Sequence, residues 1–301
     1  HVLLARPRHP GPYNDWIRDT RLPDPTPPEG SIDCQFHIYD DPARFPARKD
    51  APYPPLDATF AHAREMHAKL GFRHGVIVHS AIYGSDHSML LHVLNNQPIP
   101  GQYKGTANLA DDTSDAEIAE LTKAGVNAAR INFVKYLTMT PGKKSVTYVF
   151  DRLKEIGWHA RLHVVAEDLL EHADLLKSIK DVPMLIEHLG HVEYEGGLDQ
   201  PACRFIINML KHENWWMMAS NGNRDSAMDA GWDDAVPFGA AFIAAAPDRT
   251  VWGTDWPHPM WHKPMMNDAD EVDLLYRYVD YDADMIRRVL VDNPRRLYGF
   301  V

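Results

Sequence analysis

Cysteine is nearly absent from this sequence. Cys34 and Cys203 are the two cysteines, and they form no Cys-x-x-Cys pair. This excludes a disulfide framework and a zinc site built from cysteines. A surplus of basic residues is also missing, since 31 lysines and arginines stand against 42 acidic residues, for a net charge of −11. Nucleic acids and anionic membranes bind basic surfaces, so both are excluded as partners.

Long apolar segments are absent as well. No run approaches the ~20 residues that a membrane-spanning helix needs. Hydrophobic residues nevertheless make up 45% of the chain, an ordinary fraction for a globular protein with a large core. We therefore expect a cytoplasmic protein whose partner is a small molecule, with its oligomeric state left open.

The sequence also lacks a glycine-rich phosphate turn after an early strand, which a doubly wound open sheet would favour. Residues 1–30 are rich in proline and predict an extended arm. Beyond them, short apolar runs alternate regularly with helical patterns. Such alternation implies parallel strands joined by right-handed crossovers, and eight strands close a barrel. We predict an α/β fold, a single (β/α)8 TIM barrel over residues 31–301 with an extra C-terminal helix. The predicted strands cover residues 31–40, 74–80, 103–109, 127–133, 159–165, 184–189, 216–220 and 250–253.

Polar side chains follow the predicted strands at the ends that would surround an active site in such a barrel. Asp255 is the strongest candidate, because a short apolar strand opens into a loop there and strand propensity does not explain an aspartate. The other candidates at these ends are Gln35, His37, Ser80, Arg130, Asn132, Tyr136, His163, His188, Asn221, Arg224 and His258.

Strict alternation assigns side chains to the two faces of each strand. On the first strand it places Asp33 on the same face as Gln35 and His37. On the sixth strand it turns Glu187 outward to the helices, because the neighbouring His188 faces the pocket.

Two further assignments stay open. Arg130 shares its alternation with Asn132, which favours a position in the pocket over a structural ion pair with a helix. A single strand histidine such as His163 is as often a core residue as a functional one. The proline-rich loop around residues 40–55 is long enough to predict a lid or a substrate loop.

Two kinds of chemistry suit these residues. His37, His163, His188 and Asp255 could hold a divalent ion, since imidazole and carboxylate groups bind zinc and manganese. Gln35 stands where a second histidine would complete a His-x-His pair, and its neutral amide is a weak ligand. Alternatively, Asp255 is a general base that activates water, while His37, His188 and Gln35 donate hydrogen bonds to a carbonyl oxygen. Gln35 favours this second chemistry, with no cofactor.

Five segments carry a resemblance to a known family. They are DCQFH at residues 33–37, RINF at 130–133, IEHLG at 186–190, GTDWPH at 253–258 and NPRRLYGF at 293–300. They resemble the amidohydrolase superfamily, and within it the amidohydrolase-2 group that includes the pyrone-dicarboxylate lactonases. The resemblance implies a distorted (β/α)8 barrel and an enzyme that hydrolyses or isomerises a lactone, in a branch that usually works without a metal.

The resemblance also implies roles. Asp255 is similar to the aspartate that activates water, and His37 and His188 to histidines that polarise the lactone carbonyl. Arg130 and Arg224 look like arginines that bind substrate carboxylates. The remaining predicted substrate contacts are His163, which stands where a tyrosine faces the substrate, with Asn132, Ser80, Tyr136 and His258.

Two departures from the family pattern concern the substrate. Gln35 replaces the first histidine of the His-x-His pair, and Tyr136 stands where a further basic residue is expected. The leading hypothesis is a metal-independent hydrolase of a small anionic lactone, such as a pyrone carboxylate, a muconolactone or a sugar-acid lactone. The alternatives are a metal-dependent hydrolase, decarboxylase or hydratase of a small carboxylic acid, and a barrel that only binds such acids.

Overall fold

Eight parallel strands form one sheet in the order of the sequence. The computed structural model describes residues 12–110, 112–133 and 143–301. The strands are β1 (Ile32–Phe36), β2 (His74–Val78), β3 (Tyr103–Ala107), β4 (Val126–Asn132), β5 (His159–His163), β6 (Met184–Ile186), β7 (Trp215–Met218) and β8 (Thr250–Val251). Together with the helices between them they confirm the predicted (β/α)8 TIM barrel.

Helices connect the strands and surround the sheet. They are α1 (Phe60–Leu70), α2 (Ser88–Asn95), α3 (Asp115–Ala124), α4 (Lys143–Ile156), α5 (Ala166–Glu171), α6 (Ala173–Ser178), α7 (Pro201–Met209), α8 (Gly222–Asp225), α9 (Val236–Ala245), α10 (Asp268–Tyr278), α11 (Ala283–Arg287) and α12 (Asn293–Tyr298). Within the described ranges, none is long and apolar enough to cross a membrane.

Three local predictions differ from the structure. The helix predicted between β5 and β6 is divided into α5 and α6 at His172. Instead of one extra C-terminal helix, α11 continues through a π-helical turn over residues 288–292 into α12. Ser114 and Glu117 have the sequence spacing that predicts a capping box at the start of α3, but only half of it forms: Ser114 accepts a hydrogen bond from the Glu117 N–H, while the Glu117 carboxylate pairs with His87 instead.

The barrel closes between β8 and β1. The N–H of Cys34 donates to the carbonyl of Trp252 at 3.0 Å, and the N–H of Asp255 donates to the carbonyl of Gln35 at 2.7 Å. Gly253 allows this close approach, because a Cβ there would lie 2.4 Å from the Gln35 nitrogen and 2.5 Å from its Cβ. Only glycine fits at this position, so the glycine of the GTDWPH segment is fixed by packing against β1.

A bulge in β1 re-aims its side chains. Between Asp33 and Phe36 the strand advances three residues while its partner β2 advances two. Ile32 and Cys34 face the barrel interior, so the Asp33 carboxylate between them points outward, where it pairs with His67 of α1 at 3.0 Å and with the Thr254 hydroxyl at 2.6 Å. The prediction that Asp33 shares a face with Gln35 was wrong, because the bulge adds one residue that strict alternation does not count.

The barrel interior is filled by apolar side chains of six strands and the C-terminal segment. This cluster consists of Ile32, Cys34, Val76, Ala128, Leu185, Trp216, Met218, Val251, Tyr298 and Phe300. A larger apolar layer packs between the strands and the helices. The interior is therefore a packed core rather than a channel, and the polar side chains collect at the ends of the strands.

The N-terminal arm lies against the barrel. Residues 12–30 contain neither helix nor strand. Trp16 is buried, packs edge-on against Trp256 with ring centroids 4.8 Å apart, and donates its indole N–H to the Asp57 carbonyl. The arm thus covers the residue that follows Asp255.

Candidate active site

Asp255 lies just beyond β8 and is only 4% exposed. Its backbone has a φ of +57°, a left-handed conformation that is strained for a residue other than glycine. One carboxylate oxygen, Oδ2, accepts hydrogen bonds from the Asn221 amide at 2.7 Å and from the Arg224 guanidinium at 3.2 Å. Both partners come from the segment after β7, where Asn221 precedes α8 and Arg224 lies within it.

The other carboxylate oxygen, Oδ1, faces three side chains. The Gln35 amide nitrogen lies 3.2 Å away, the His37 Nε2 atom 3.5 Å and the His188 Nε2 atom 3.9 Å. Of these, only the Gln35 contact is a hydrogen bond by distance. The structure therefore brings together the four residues that the sequence predicted as catalytic.

The charge of Asp255 is set by its surroundings. Burial raises the pKa of the carboxyl, but the neighbouring His188 and His37 rings and the charge of Arg224 outweigh it, so the pKa lies well below its usual range. Burial also lowers the pKa of His188 to about 3, against the pull of Asp255 and Glu187, so that ring is neutral near pH 7. The permanent cation that keeps Asp255 ionised is therefore Arg224.

The orientation of the Gln35 amide follows from Arg161. The guanidinium of Arg161 donates to Gln35 Oε1, so this end of the amide must be the oxygen. The amide nitrogen then donates one N–H to Asp255 and the other to His37 Nε2, at 3.3 Å. His37 in turn donates its Nδ1 proton to the Val78 carbonyl at 2.8 Å. A neutral His37 is consequently an acceptor at Nε2, and donates there only as an imidazolium.

His188 carries its proton on the other ring nitrogen. The ionised Asp255 accepts an N–H of Asn221, and the second N–H of that amide points to His188 Nδ1 at 3.2 Å. The Ser220 hydroxyl lies 2.9 Å from the same ring nitrogen. Nδ1 thus accepts, and a neutral His188 carries its proton on Nε2, which faces Asp255 Oδ1.

A buried ion-pair network lies beneath these residues. Arg161 and Glu187 are both 0% exposed, and Arg161 donates to Glu187 Oε1 at 2.8 Å. Glu187 Oε2 accepts from Arg130 at 2.6 Å and 2.8 Å. Burial raises the pKa of Glu187, but Arg130 and Arg161 lower it to about 2. Arg130 therefore pairs inside the barrel, with a strand-end carboxylate and not with a helix.

The prediction that Glu187 faces the helices was wrong. Leu185 belongs to the interior cluster, so Glu187 two residues later faces inward by ordinary alternation. His188 then adopts a left-handed backbone with a φ of +52°, which returns its own side chain to the pocket. Arg161 was missed altogether, although it precedes His163 by two residues on β5 and so shares its face.

The predicted substrate contacts other than the two arginines differ in where the structure places them. Ser80 is buried, and its hydroxyl lies 2.9 Å from that of Tyr53 in the proline-rich loop, which thus reaches the strand ends. His163 is buried, and burial together with the charge of Arg130 holds its pKa well below its usual range. His258, in contrast, points to α10 and bonds Asp268 at 2.8 Å. Asn132 pairs with His163 in the strand register and is buried, and Tyr136 lies outside the described residues.

Within the described ranges, two groups of side chains have the spacing of metal ligands. One is His163, His188 and His191, and the other is His258, Asp268 and Glu271. His191 was missed from the sequence; its Nδ1 is held by Asp225 at 2.7 Å, as carboxylates often hold metal-binding histidines. Neither group contains His37 or Asp255, which the predicted metal set included.

The chain matches the amidohydrolase family model over residues 32–300, a range that includes all five segments of the resemblance. It is 30% identical over 293 residues to 2-pyrone-4,6-dicarboxylate hydrolase of Comamonas testosteroni, covering 94% of this chain and 95% of that protein. It is 31% identical over 281 residues to 4-sulfomuconolactone hydrolase of Hydrogenophaga intermedia, covering 91% and 90%.

A solved structure from Agrobacterium tumefaciens has the same fold, with a TM-score of 0.82 at 23% identity, over 93% of this chain and 99% of that one. Both named relatives are hydrolases, which confirms the prediction of an enzyme. The chain belongs to the amidohydrolase family.

Proposed function

We propose that this protein hydrolyses a small anionic lactone, with Asp255 as the general base. The proposal rests on one observation above all: an ionised carboxylate oxygen lies 3.9 Å from a histidine nitrogen that carries a proton, at the mouth of the barrel. The two relatives named above, both hydrolases of anionic lactones, support it because they align over nine tenths of the chain.

The chemistry uses both groups in turn. Asp255 Oδ1 takes a proton from a water molecule as its oxygen attacks the lactone carbonyl carbon. The Nε2–H of His188 donates a hydrogen bond to the carbonyl oxygen and stabilises the negative charge that develops there, while the proton stays on the ring. When the ring C–O bond breaks, the protonated Asp255 returns its proton to the departing alkoxide, which leaves a hydroxy acid and the ionised carboxylate.

The anionic group of the substrate would be bound by arginine. Arg224 is the better placed, since its side chain is 23% exposed and lies over the Trp261 ring at 5.1 Å. Arg130 is only 7% exposed in its side chain, and its charge is shared with Glu187. We therefore infer that Arg224 gives the larger part of the attraction for a carboxylate or sulfonate.

A metal does not fit between His37 and Asp255. The nitrogen of the Gln35 amide already donates to both atoms that would serve as ligands, and an amide N–H cannot coordinate a cation. The proposed mechanism consequently needs no cofactor at this position.

The test is Asp255→Asn, assayed on pyrone carboxylates, muconolactones and aldonolactones. Loss of the base should lower kcat by at least ~100-fold for every lactone that the wild type hydrolyses. The matched control is Asp181→Asn, since Asp181 is an exposed carboxylate paired with Lys154 at the surface. Turnover of Asp255→Asn within a few-fold of wild type would remove Asp255 from the mechanism, and silence of the wild type on the whole panel would favour a binding protein.

One observation favours a second function, a metal-dependent hydrolase. The three histidines at 163, 188 and 191 could hold a zinc ion, which would supply Lewis-acid polarisation of the carbonyl. Elemental analysis and chelation separate the two proposals. One tightly bound equivalent of metal, lost together with activity on chelation and absent from His191→Gln, would establish the second function.

A further inference from the structure

Three atoms at the mouth of the barrel have the spacing of the ligand atoms of a metal site. His37 Nε2 and Asp255 Oδ1 lie 3.5 Å apart, close to the roughly 3.4 Å that separates two ligands of one zinc ion. The Gln35 amide nitrogen lies 3.3 Å from the first atom and 3.2 Å from the second. Its two N–H groups thus donate to His37 Nε2 and Asp255 Oδ1, whose lone pairs would otherwise be free to bind a cation.

A buried positive charge stands behind this amide. The Arg161 guanidinium is fully buried and donates to Gln35 Oε1, to the Cys34 carbonyl at 2.8 Å and to the Thr106 hydroxyl at 3.4 Å. It also donates to Glu187, which is shared with Arg130. Arg161 therefore fixes the direction of the amide and polarises it, so that the N–H groups carry part of its charge toward Asp255.

We propose that Gln35, oriented by Arg161, takes the place of a divalent cation and is a positioning residue for the two groups that it joins. One N–H of Gln35 donates a hydrogen bond to the lone pair of His37 Nε2. The other donates to Asp255 Oδ1 and positions that oxygen to take a proton from water. This inference rests on the proposed function, since it explains how Asp255 works there without a metal. It adds a positioning role for Arg161, which acts through the Gln35 amide.

The first test restores the ligand. Gln35→His should create a site from the introduced imidazole, His37 and Asp255, and bind one more equivalent of zinc than wild type in titration calorimetry. Any zinc held by His163, His188 and His191 would be bound by both proteins. The quantity to compare is therefore the difference in zinc stoichiometry between Gln35→His and wild type. The added equivalent should vanish in the double variant Gln35→His with Asp255→Asn. Equal zinc stoichiometry in Gln35→His and wild type would overturn the proposal.

The second test removes the amide while keeping its volume. Gln35→Met should lower kcat roughly 10- to 100-fold with little change in KM, as loss of groups that orient ligands or catalytic residues does. Nitrogen NMR of histidine-labelled protein, assigned with His37→Gln, should show the Nδ1–H tautomer of His37 in wild type and a shifted Nε2 signal in Gln35→Met, because the hydrogen bond from the amide to Nε2 is lost.

An unchanged His37 spectrum in Gln35→Met would reduce Gln35 to a packing residue. The zinc and NMR measurements do not depend on turnover. They can thus fail while lactone hydrolysis stands, and they can succeed even if the panel of lactones identifies no substrate.

Discussion

The contacts of Arg161 define how much unfolding free energy the substitution Arg161→Met should remove. Methionine fills similar space but leaves Glu187 Oε1, Gln35 Oε1, the Cys34 carbonyl and the Thr106 hydroxyl without their donor. Removing one partner of a buried ion pair costs about 3–5 kcal/mol, because the other charge stays buried and uncompensated.

The pKa of Glu187 gives a second measure of the same interaction. Burial raises that pKa, yet the charges of Arg130 and Arg161 lower it from 4.5 to about 2, so the carboxylate form keeps a net stabilisation of roughly 3 kcal/mol after the cost of burial. For 301 residues the unfolding entropy is roughly 0.6 kcal/mol per degree. Arg161→Met should therefore lower the melting temperature by roughly 5–8 °C.

Thermal unfolding followed by circular dichroism measures this shift. The control is Arg288→Met, which breaks an exposed pair with Asp248 and should change the unfolding free energy by no more than about 1 kcal/mol. A variant Arg161→Met whose unfolding free energy lies within about 1 kcal/mol of wild type would refute the reasoning. It would mean that the barrel interior is wet enough to solvate Glu187.

Three further predictions concern the same region. Arg224→Met removes the permanent cation beside Asp255, so the pKa of that carboxyl should rise, the acid limb of kcat/KM should move to higher pH, and KM should increase for an anionic lactone. Gly253→Ala places a Cβ 2.4 Å from the Gln35 nitrogen and should separate β8 from β1, with a loss of several kcal/mol or no soluble protein. Glu187→Gln should destabilise the fold most near neutral pH. Because the pKa of Glu187 is lowered on folding, its contribution is complete above pH 4.5 and is lost as the pH falls toward 2.

For each of these three predictions, one result would contradict the reasoning. An acid limb that stays in place in Arg224→Met would assign the charge of Asp255 to another group. The control for Gly253→Ala is Gly101→Asn, because a Cβ at Gly101 meets no atom within 4 Å and asparagine tolerates its left-handed backbone. Similar losses in both glycine variants would show that the loss of a glycine in itself, and not the close approach of β1, decides. A pH-independent difference between Glu187→Gln and wild type would contradict the ion-pair network.

The fold followed from the sequence because the alternation of strands and helices is regular over the whole barrel. Much of the candidate site followed too, since Asp255, Gln35, His37 and His188 do meet at the strand ends. Strict alternation failed where the backbone departs from an ideal strand. A bulge after Asp33 put Gln35 on the opposite face from Asp33, and a left-handed residue at His188 let two successive side chains face inward.

Partners could not be predicted in the same way. Arg161 lies on β5 and Glu187 directly follows the neighbouring strand β6, 26 residues away in sequence, and only the register of the two strands brings their charges together. The direction of an amide such as Gln35 depends on which donors surround it. The orientation of the Gln35 amide decides whether His37 Nε2 donates or accepts a hydrogen bond, and no local sequence pattern predicts that orientation.

The seam between β8 and β1 ties the proposed catalytic base to the integrity of the barrel. The same residue, Asp255, offers its carboxylate to the pocket and its backbone N–H to the carbonyl of Gln35. Any breathing motion that parts the first and last strands displaces the base and its positioning amide together. Turnover should therefore cease on heating while most of the helical signal is still intact, and the amide proton of Asp255 should be a local reporter of that opening in hydrogen exchange.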